Sequence, residues 1–511
     1  MKGIKTKVSF FVAMVMVMTA FFSVFTQNTQ KVYAQENYSL TIKNDGKTEH
    51  KFNVYQIFKG DLAEVDGEDV LSNIEWGKSI KESSKGTLGN ATQKAESLAN
   101  NEEKAKQFAE EIQGDLTNPV AENEVVQAGD KLVLNNLEPG YYLVKDAEGS
   151  QADKPNGAYT LYILQVVKNT EVKTKLDVPS VEKKVKDINE SESETKTDWQ
   201  DSADYDIGDE IPYQLKGTLP SNYDQYKTYK YEFVDTMSKG LTYNNNAKVY
   251  VVNGDSKEDI TNQAVISTTS LKDESTVLSV KFDDLKKITE INSNSKIVVE
   301  YTANLNKSAV VGSLGNPNDV YLKYSNNPNN DGSGDVGETP KDKNIVFTYK
   351  VIVNKVNENN MPLAGAEFTL FKKLKNGQEK PVDTLVINEP ADNPTTFNFS
   401  GLDDGTYILR ETKVPAGYNK IPDQTFKIVA DHDIDSQDPK LKDLKAETID
   451  GGTITFTPNT DEGSLTTNVV NKKGIVLPST GGMGTYLIYG LGVAFVSVAG
   501  LTLVLKRCKK C

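Results

Sequence analysis

A lysine, a carboxylic acid and an asparagine turned inward on neighbouring strands can form a covalent bond without an enzyme. Val181, Lys183 and Val185 alternate, so they share one face of a strand and aim Lys183 into a sandwich. Phe233 and Asp235 share a face downstream, and Leu322, Tyr324 and Asn326 share another. Burial disfavours an ammonium ion and pushes it towards the neutral amine, while the same burial keeps an acid protonated. Neutral Lys183 is then a nucleophile towards the side-chain carbon of Asn326. Asp235 hydrogen-bonds the carboxamide oxygen and relays protons as ammonia leaves. Proximity in a dry core supplies the rate. The plainer alternative is an ion pair between Lys183 and Asp235. Further along, Val353 and Lys355 again aim a lysine inward.

A second chemical signature closes the chain. Leu477, Pro478, Ser479, Thr480 and Gly481 precede an apolar run over residues 486–505, followed by Lys506, Arg507, Cys508, Lys509, Lys510 and Cys511. The run is long enough to cross a bilayer core, and the basic tail is expected to stay cytoplasmic. This order resembles the cell-wall sorting signal of Gram-positive surface proteins, the substrate of sortase. The resemblance implies cleavage between Thr480 and Gly481, a thioester held on Thr480, and its capture by an amine. At the other end, Lys2, Lys5 and Lys7 precede an apolar run over residues 8–25, with Val32-Tyr33-Ala34 as a cleavage site. That pattern reads as a secretory signal peptide.

The interior motifs point to the same family. Val181-Glu182-Lys183-Lys184-Val185, Asp235-Thr236-Met237-Ser238-Lys239-Gly240-Leu241-Thr242 and Tyr324-Ser325-Asn326-Asn327-Pro328 resemble the isopeptide-forming, CnaA-like middle domain of Gram-positive major pilins. Leu409-Arg410-Glu411-Thr412-Lys413-Val414-Pro415-Ala416-Gly417-Tyr418 resembles the E-box of CnaB domains. That resemblance implies Glu411 as the catalyst of a bond from Lys355 to Asn471. In sortase-assembled pilins a lysine shortly before the second domain resolves the thioester of the incoming subunit. Here Val172-Lys173-Thr174-Lys175 keeps the valine and final lysine of the family motif and lacks its proline. Lys175 is the expected residue, with Lys168 and Lys173 as alternatives.

The resemblance implies a structural backbone subunit of a covalent surface pilus, secreted and anchored to the cell wall, with a monomeric wall-anchored adhesin as the alternative. Its implied partners are pilus-specific and housekeeping sortases, identical subunits, minor pilins and peptidoglycan. Neither a cofactor nor a metal is expected, and the only chemistry expected of the chain itself is intramolecular amide formation.

The elements that must hold these residues read as mainly β, in three tandem immunoglobulin-like (Cna-type) sandwiches. The expected divisions are a signal peptide over 1–34, an N-terminal domain over 35–174, a middle domain over 175–348, a CnaB-like domain over 349–476 and the sorting segment over 477–511. Leu98, Ala105, Phe108 and Ile112 recur at helical spacing, so a helix over 91–112 is expected to interrupt the first domain. Residues 137–146 and 402–411 align in leucine, glycine, tyrosine and terminal acid, which implies a shared fold for the first and last domains. Asp146 takes the place of Glu411 and Lys43 that of Lys355, with Asn169 a weak acceptor. No bond is expected there.

Composition narrows the function further. The net charge is −14, and the two removable ends carry four positive charges each (Lys2, Lys5, Lys7, Lys31; Lys506, Arg507, Lys509, Lys510), leaving −22 between them. So acidic a surface disfavours nucleic-acid binding. Both cysteines, Cys508 and Cys511, lie in the tail, which raises the question of what else would staple an exported chain where disulfides are allowed. His50 and His432 stand in no triad or metal spacing, and Asp431, His432, Asp433 and Asp435 read as a solvated loop. A surface hydrolase finds little support without a histidine dyad or thiol.

Overall fold

The computed structural model of the protein describes residues 37–65, 68–98, 101–174, 178–191, 197–327, 336–382, 386–474 and 483–508. The chain is mainly β. Alternating apolar side chains turn the inner faces of paired sheets towards one another, and three successive regions each bury their own apolar core.

In the first region the long strand His50–Val65 organises a five-stranded sheet with Glu68–Trp76, Ala121–Val126, Gly140–Asp146 and Leu161–Val166. A three-stranded sheet of Lys131–Leu137, Tyr38–Lys43 and Thr170–Lys173 covers one face, closing over Leu40, Ile42, Val54 and Val144. The other face is covered by helices. The expected single helix is broken into Ala91–Leu98 and Glu102–Glu111, preceded by Glu82–Leu88. The break has a local cause: Asn101 takes an extended conformation and its side chain accepts from Lys104 N at 2.9 Å, capping a new helix. Ala91, Ala95, Leu98, Phe108 and Ile112 then pack on Phe58 and Trp76.

In the middle region a seven-stranded sheet places Asp342–Phe347, Asn316–Ser325, Tyr231–Met237 and Thr276–Phe282 side by side. The facing six-stranded sheet ends on Val181–Val185, which pairs antiparallel with Glu210–Thr218. Along Glu210–Thr218 every second residue is buried: Ile211, Tyr213, Leu215 and Gly217. Gly217 has a steric role, because a Cβ there would lie 2.1 Å from Tyr231 Oη, and that hydroxyl is held by the Thr218 carbonyl at 2.8 Å.

The third region pairs its first long strand, Tyr349–Asn357, in parallel with its last, Ser464–Asn471. The opposing sheet carries Glu367–Lys373, Gly405–Lys413 and Gln424–His432. The aligned segments of the first and third regions both fall on inward strands, Gly140–Asp146 and Gly405–Lys413, with Asp146 and Glu411 buried. Backbone hydrogen bonds tie the regions together. Asp153, Asn156 and Tyr159 donate to Val336, Glu338 and Asn326, while Asp201 and Ile207 donate to Ile434 and Gly401. Near the C-terminus stands one helix, Met483–Cys508, whose segment Leu487–Arg507 has a mean hydropathy of 2.2 and the length to cross a membrane.

Replacing Gly217 by alanine forces a methyl group against an anchored hydroxyl. We expect a loss of about 1–3 kcal/mol in the middle region, read as a lower midpoint in guanidinium titrations of the mature chain.

Candidate functional site

Lys183 enters the middle core from its edge strand and is fully buried. Its Nζ donates to Asp235 Oδ1 at 2.8 Å and to Tyr301 Oη at 3.0 Å. Tyr213 and Tyr301 stack with ring centroids 5.2 Å apart and wall the amine at 5.1 and 5.4 Å, keeping water away. Burial pulls the Lys183 amine down, against the opposing pull of Asp235. Burial pushes the Asp235 carboxyl up, against Lys183 and the Tyr301 hydroxyl. Both directions favour a neutral amine beside a protonated acid, as nucleophilic attack requires.

The expected acceptor is corrected by the structure. Asn326 follows the last residue of Asn316–Ser325 and faces the first region, where its Nδ2 donates to Gln151 O at 2.9 Å. In register, Asp235 lies opposite Val320, six residues before Asn326. At roughly 3.3 Å per residue that is about 20 Å along the strand, far beyond the reach of Lys183. The residue on the correct face and at the correct height is Asn318. It stands opposite Met237, diagonal to Asp235, and is fully buried. Its Nδ2 donates to Tyr301 Oη at 2.8 Å, the same hydroxyl that accepts from Lys183 and donates to Asp235 Oδ2. Asn318 Oδ1 has no partner, so the carboxamide oxygen is open to a protonated acid. Asn344, opposite Asn318 on the next strand, is also buried and unpartnered but sits one strand further from Asp235.

Tyr301 and Asn318 were missed in the sequence. The signal for Asn318 was present, since the alternation through Leu322 and Tyr324 runs back through Val320 to Asn318. No local signal marks Tyr301.

In the third region Lys355, Glu411 and Asn471 converge, all three fully buried. Parallel pairing sets Lys355 opposite Val469 and Asn357 opposite Asn471, so Lys355 and Asn471 share an inner face two residues apart. Lys355 Nζ donates to the carbonyls of Val356 and Val469, both at 3.0 Å. Asn471 Nδ2 lies 2.7 Å from Glu411 Oε1, while Glu411 Oε2 accepts from Ile421 N at 3.1 Å. Exchanging amide O and N leaves the heavy atoms in place and brings the carboxamide oxygen against Glu411. Asn471 Oδ1 is otherwise unpartnered. Burial lowers the Lys355 amine to about 8, with Glu411 opposing.

The first region does something different with the corresponding places. Asp146 is engaged by His50, whose Nδ1 lies 2.9 and 3.0 Å from its two oxygens, and by Thr160 N. Lys43 points outward and pairs with Glu171, and Asn169 accepts from Ser39 N. Of the linker lysines, Lys173 is exposed and paired with Asp45, and Lys168 is exposed before Thr170–Lys173. Lys175 lies outside the described residues, as do residues 1–36 and the segment Leu477, Pro478, Ser479, Thr480 and Gly481.

Comparison with known proteins meets this geometry. Residues 207–328 match the Gram-positive pilin backbone subunit 2, Cna-B-like domain, and residues 349–445 match the SpaA prealbumin-like fold domain. Residues 207–328 are thus similar to a domain of Gram-positive pilin backbone subunits. It is 27% identical over 400 residues to the trypsin-resistant surface T6 protein of Streptococcus pyogenes serotype M6, covering 65% of this chain and 70% of that protein. The solved structure of the T6 backbone pilin of serotype M6 Streptococcus pyogenes superposes with a TM-score of 0.52 at 18% identity, over 87% of this chain and all of that one, and shares its fold.

Intact mass distinguishes the two candidate acceptors. We expect the mature chain to weigh two ammonia molecules less than its sequence. Asn318→Ala should recover one of them, and Asn326→Ala should recover none.

The buried amine also has a pH signature. In Asn471→Ala, Lys355 stays a free amine that releases its proton near 8 in the folded state and near 10.5 when unfolded. Between those values the unfolded chain binds more protons, so stability should rise with pH over that window. Urea titrations should show the rise, and adding Lys355→Met should flatten it.

Proposed function

We propose that the chain is the backbone subunit of a sortase-polymerised pilus on the cell surface. Sortase joins Thr480 of one subunit to a linker lysine of the next, and the growing fibre is finally attached to peptidoglycan. Lys175 is the favoured lysine, with Lys168 and Lys173 behind it, and minor pilins accompany the shaft. The observation that carries this reading is the distribution of the buried triads. Lys183–Asp235–Asn318 and Lys355–Glu411–Asn471 occupy the two regions that lie between Lys175 and Thr480. The region before Lys175 has His50 on Asp146 instead.

Each triad closes a bond by the same steps. The lysine Nζ lone pair attacks the asparagine Cγ, and the acid proton is delivered to the carboxamide as the C–N bond breaks. Ammonia leaves, the new Nζ–Cγ amide forms, and the lysine proton returns to the acid. Water must be absent, because it would compete for the carbonyl and re-ionise the amine; the stacked Tyr213 and Tyr301 meet that need in the middle region.

The bonds matter because of where tension would run. Force entering at Thr480 and leaving at Lys175 bypasses the first region and crosses the other two. A non-covalent sandwich is stable by only roughly 5–15 kcal/mol and yields under sustained load. Amides from Lys183 to Asn318 and from Lys355 to Asn471 would carry that load through covalent links and shield the strands between.

Detergent-boiled wall extracts should therefore give a ladder of high-mass species, lost in Thr480→Ala and collapsed in Lys175→Ala. A single band from the unaltered protein would support the monomeric adhesin instead.

A further inference from the structure

At the joint between the middle and third regions, acids distant in sequence converge. Asp204 ends the strand Ser202–Asp204, and Asp403 and Asp404 form the turn between Thr396–Leu402 and Gly405–Lys413. Carboxylate oxygens of Asp204, Asp403 and Asp404 lie within 4.8 Å of one another. Asp187 and His432 also approach Asp204, again with ligand atoms within 4.8 Å.

Clustered acids alone would not make a site, but Asp204 and Asp403 are buried and incompletely satisfied, while Asp404 is half-buried and accepts from Asn189 Nδ2. Asp204 and Asp403 are 2% and 0% exposed. Asp204 Oδ2, Asp403 Oδ1 and Asp187 Oδ1 accept no hydrogen bond. The fully buried Tyr349 hydroxyl faces Asp204 without forming a hydrogen bond of acceptable geometry. Orphaned carboxylate oxygens in a protein interior are costly, and the ordinary remedy is a counter-charge.

The cations at hand are largely committed. Lys372 Nζ is held by Asp206 Oδ2 at 2.6 Å and Asp403 Oδ2 at 2.9 Å. Ser202 gives its one proton to the Asp433 carbonyl at 2.6 Å, so His432 Nδ1, 2.7 Å away, must be the donor to Ser202 Oγ. His432 Nε2 is left facing Asp204 and Asp187 at 3.7 and 3.9 Å, beyond hydrogen-bond distance.

We propose that Asp204, Asp403 and Asp404 hold a hard divalent cation of the calcium type, which clamps the middle region onto the third. All three donors are carboxylates, the set that hard cations prefer, and Tyr349 supplies a further oxygen beside them. The ligands come from both regions, so a bound ion stiffens the joint itself. If the chain is a pilus shaft, as proposed above, that joint includes the stretch from Asn318 to Lys355, which neither amide shields.

The test uses the mature chain, stripped with EDTA and titrated with calcium chloride by calorimetry. We expect one calcium per chain with a dissociation constant of about 10⁻⁴–10⁻³ M, the range of extracellular modules. Binding should be lost in Asp204→Asn and in Asp404→Asn and kept in Asp431→Asn. Asp404 is less buried than Asp204, so its variant decides the matter should Asp204→Asn fail to fold. Absence of saturable binding at millimolar calcium, or equal binding in both variants, would overturn the assignment. Binding of zinc in place of calcium, abolished by His432→Ala, would overturn it equally. Polymerisation plays no part in this readout, so its outcome is independent of the pilus reading.

Discussion

Everything distinctive in this molecule depends on burying lysine amines where water cannot keep them charged. Lys183 and Lys355 are each sealed inside a sandwich with an acid and a carboxamide. Such a group is a liability to a fold held together only by packing, since an ammonium in a low-dielectric core destabilises it by several kcal/mol. Neutralising the amine reduces that cost and creates a nucleophile at the same time. The amide proposed for each site would remove the titratable group altogether.

The surroundings differ between the two sites, although the roles recur. In the middle region two stacked tyrosines form the walls, and one hydroxyl links amine, acid and carboxamide. In the third region the amine rests on two backbone carbonyls, and the acid touches the carboxamide directly. The strand arrangements also differ. Lys355 and Asn471 lie on adjacent parallel strands of one sheet, whereas Lys183 and Asn318 come from opposing sheets. A bond across sheets resists their separation, and a bond between parallel first and last strands resists shear along the chain.

The first region makes the contrast instructive. It repeats the strand with its inward acid, yet the buried base beside Asp146 is an imidazole, on a strand that no alignment with Lys355 would have selected. The histidine Nδ1 and the aspartate are hydrogen-bonded to each other. Among the described residues, the first region keeps the inward acid with a histidine, not a lysine, beside it.

Sequence alone determined which faces point inward, because a period of two is a local property of the backbone. It thereby marked Lys183, Asp235, Lys355 and, with the E-box resemblance, Glu411 and Asn471. It also marked the mainly β architecture, since alternation recurs in strand after strand, and the apolar run near the C-terminus. Tertiary structure alone decided height along a strand and partnership across sheets, because register is set by pairing with distant segments. That is why Asn326, on the right alternation, proved to face the first region, while Asn318 reached the amine. The same holds for Tyr301, and for His432, which read as part of a solvated loop until folding set it against Asp187 and Asp204. Alternation tells a side chain which way to point; only the packed sheets determine what it meets.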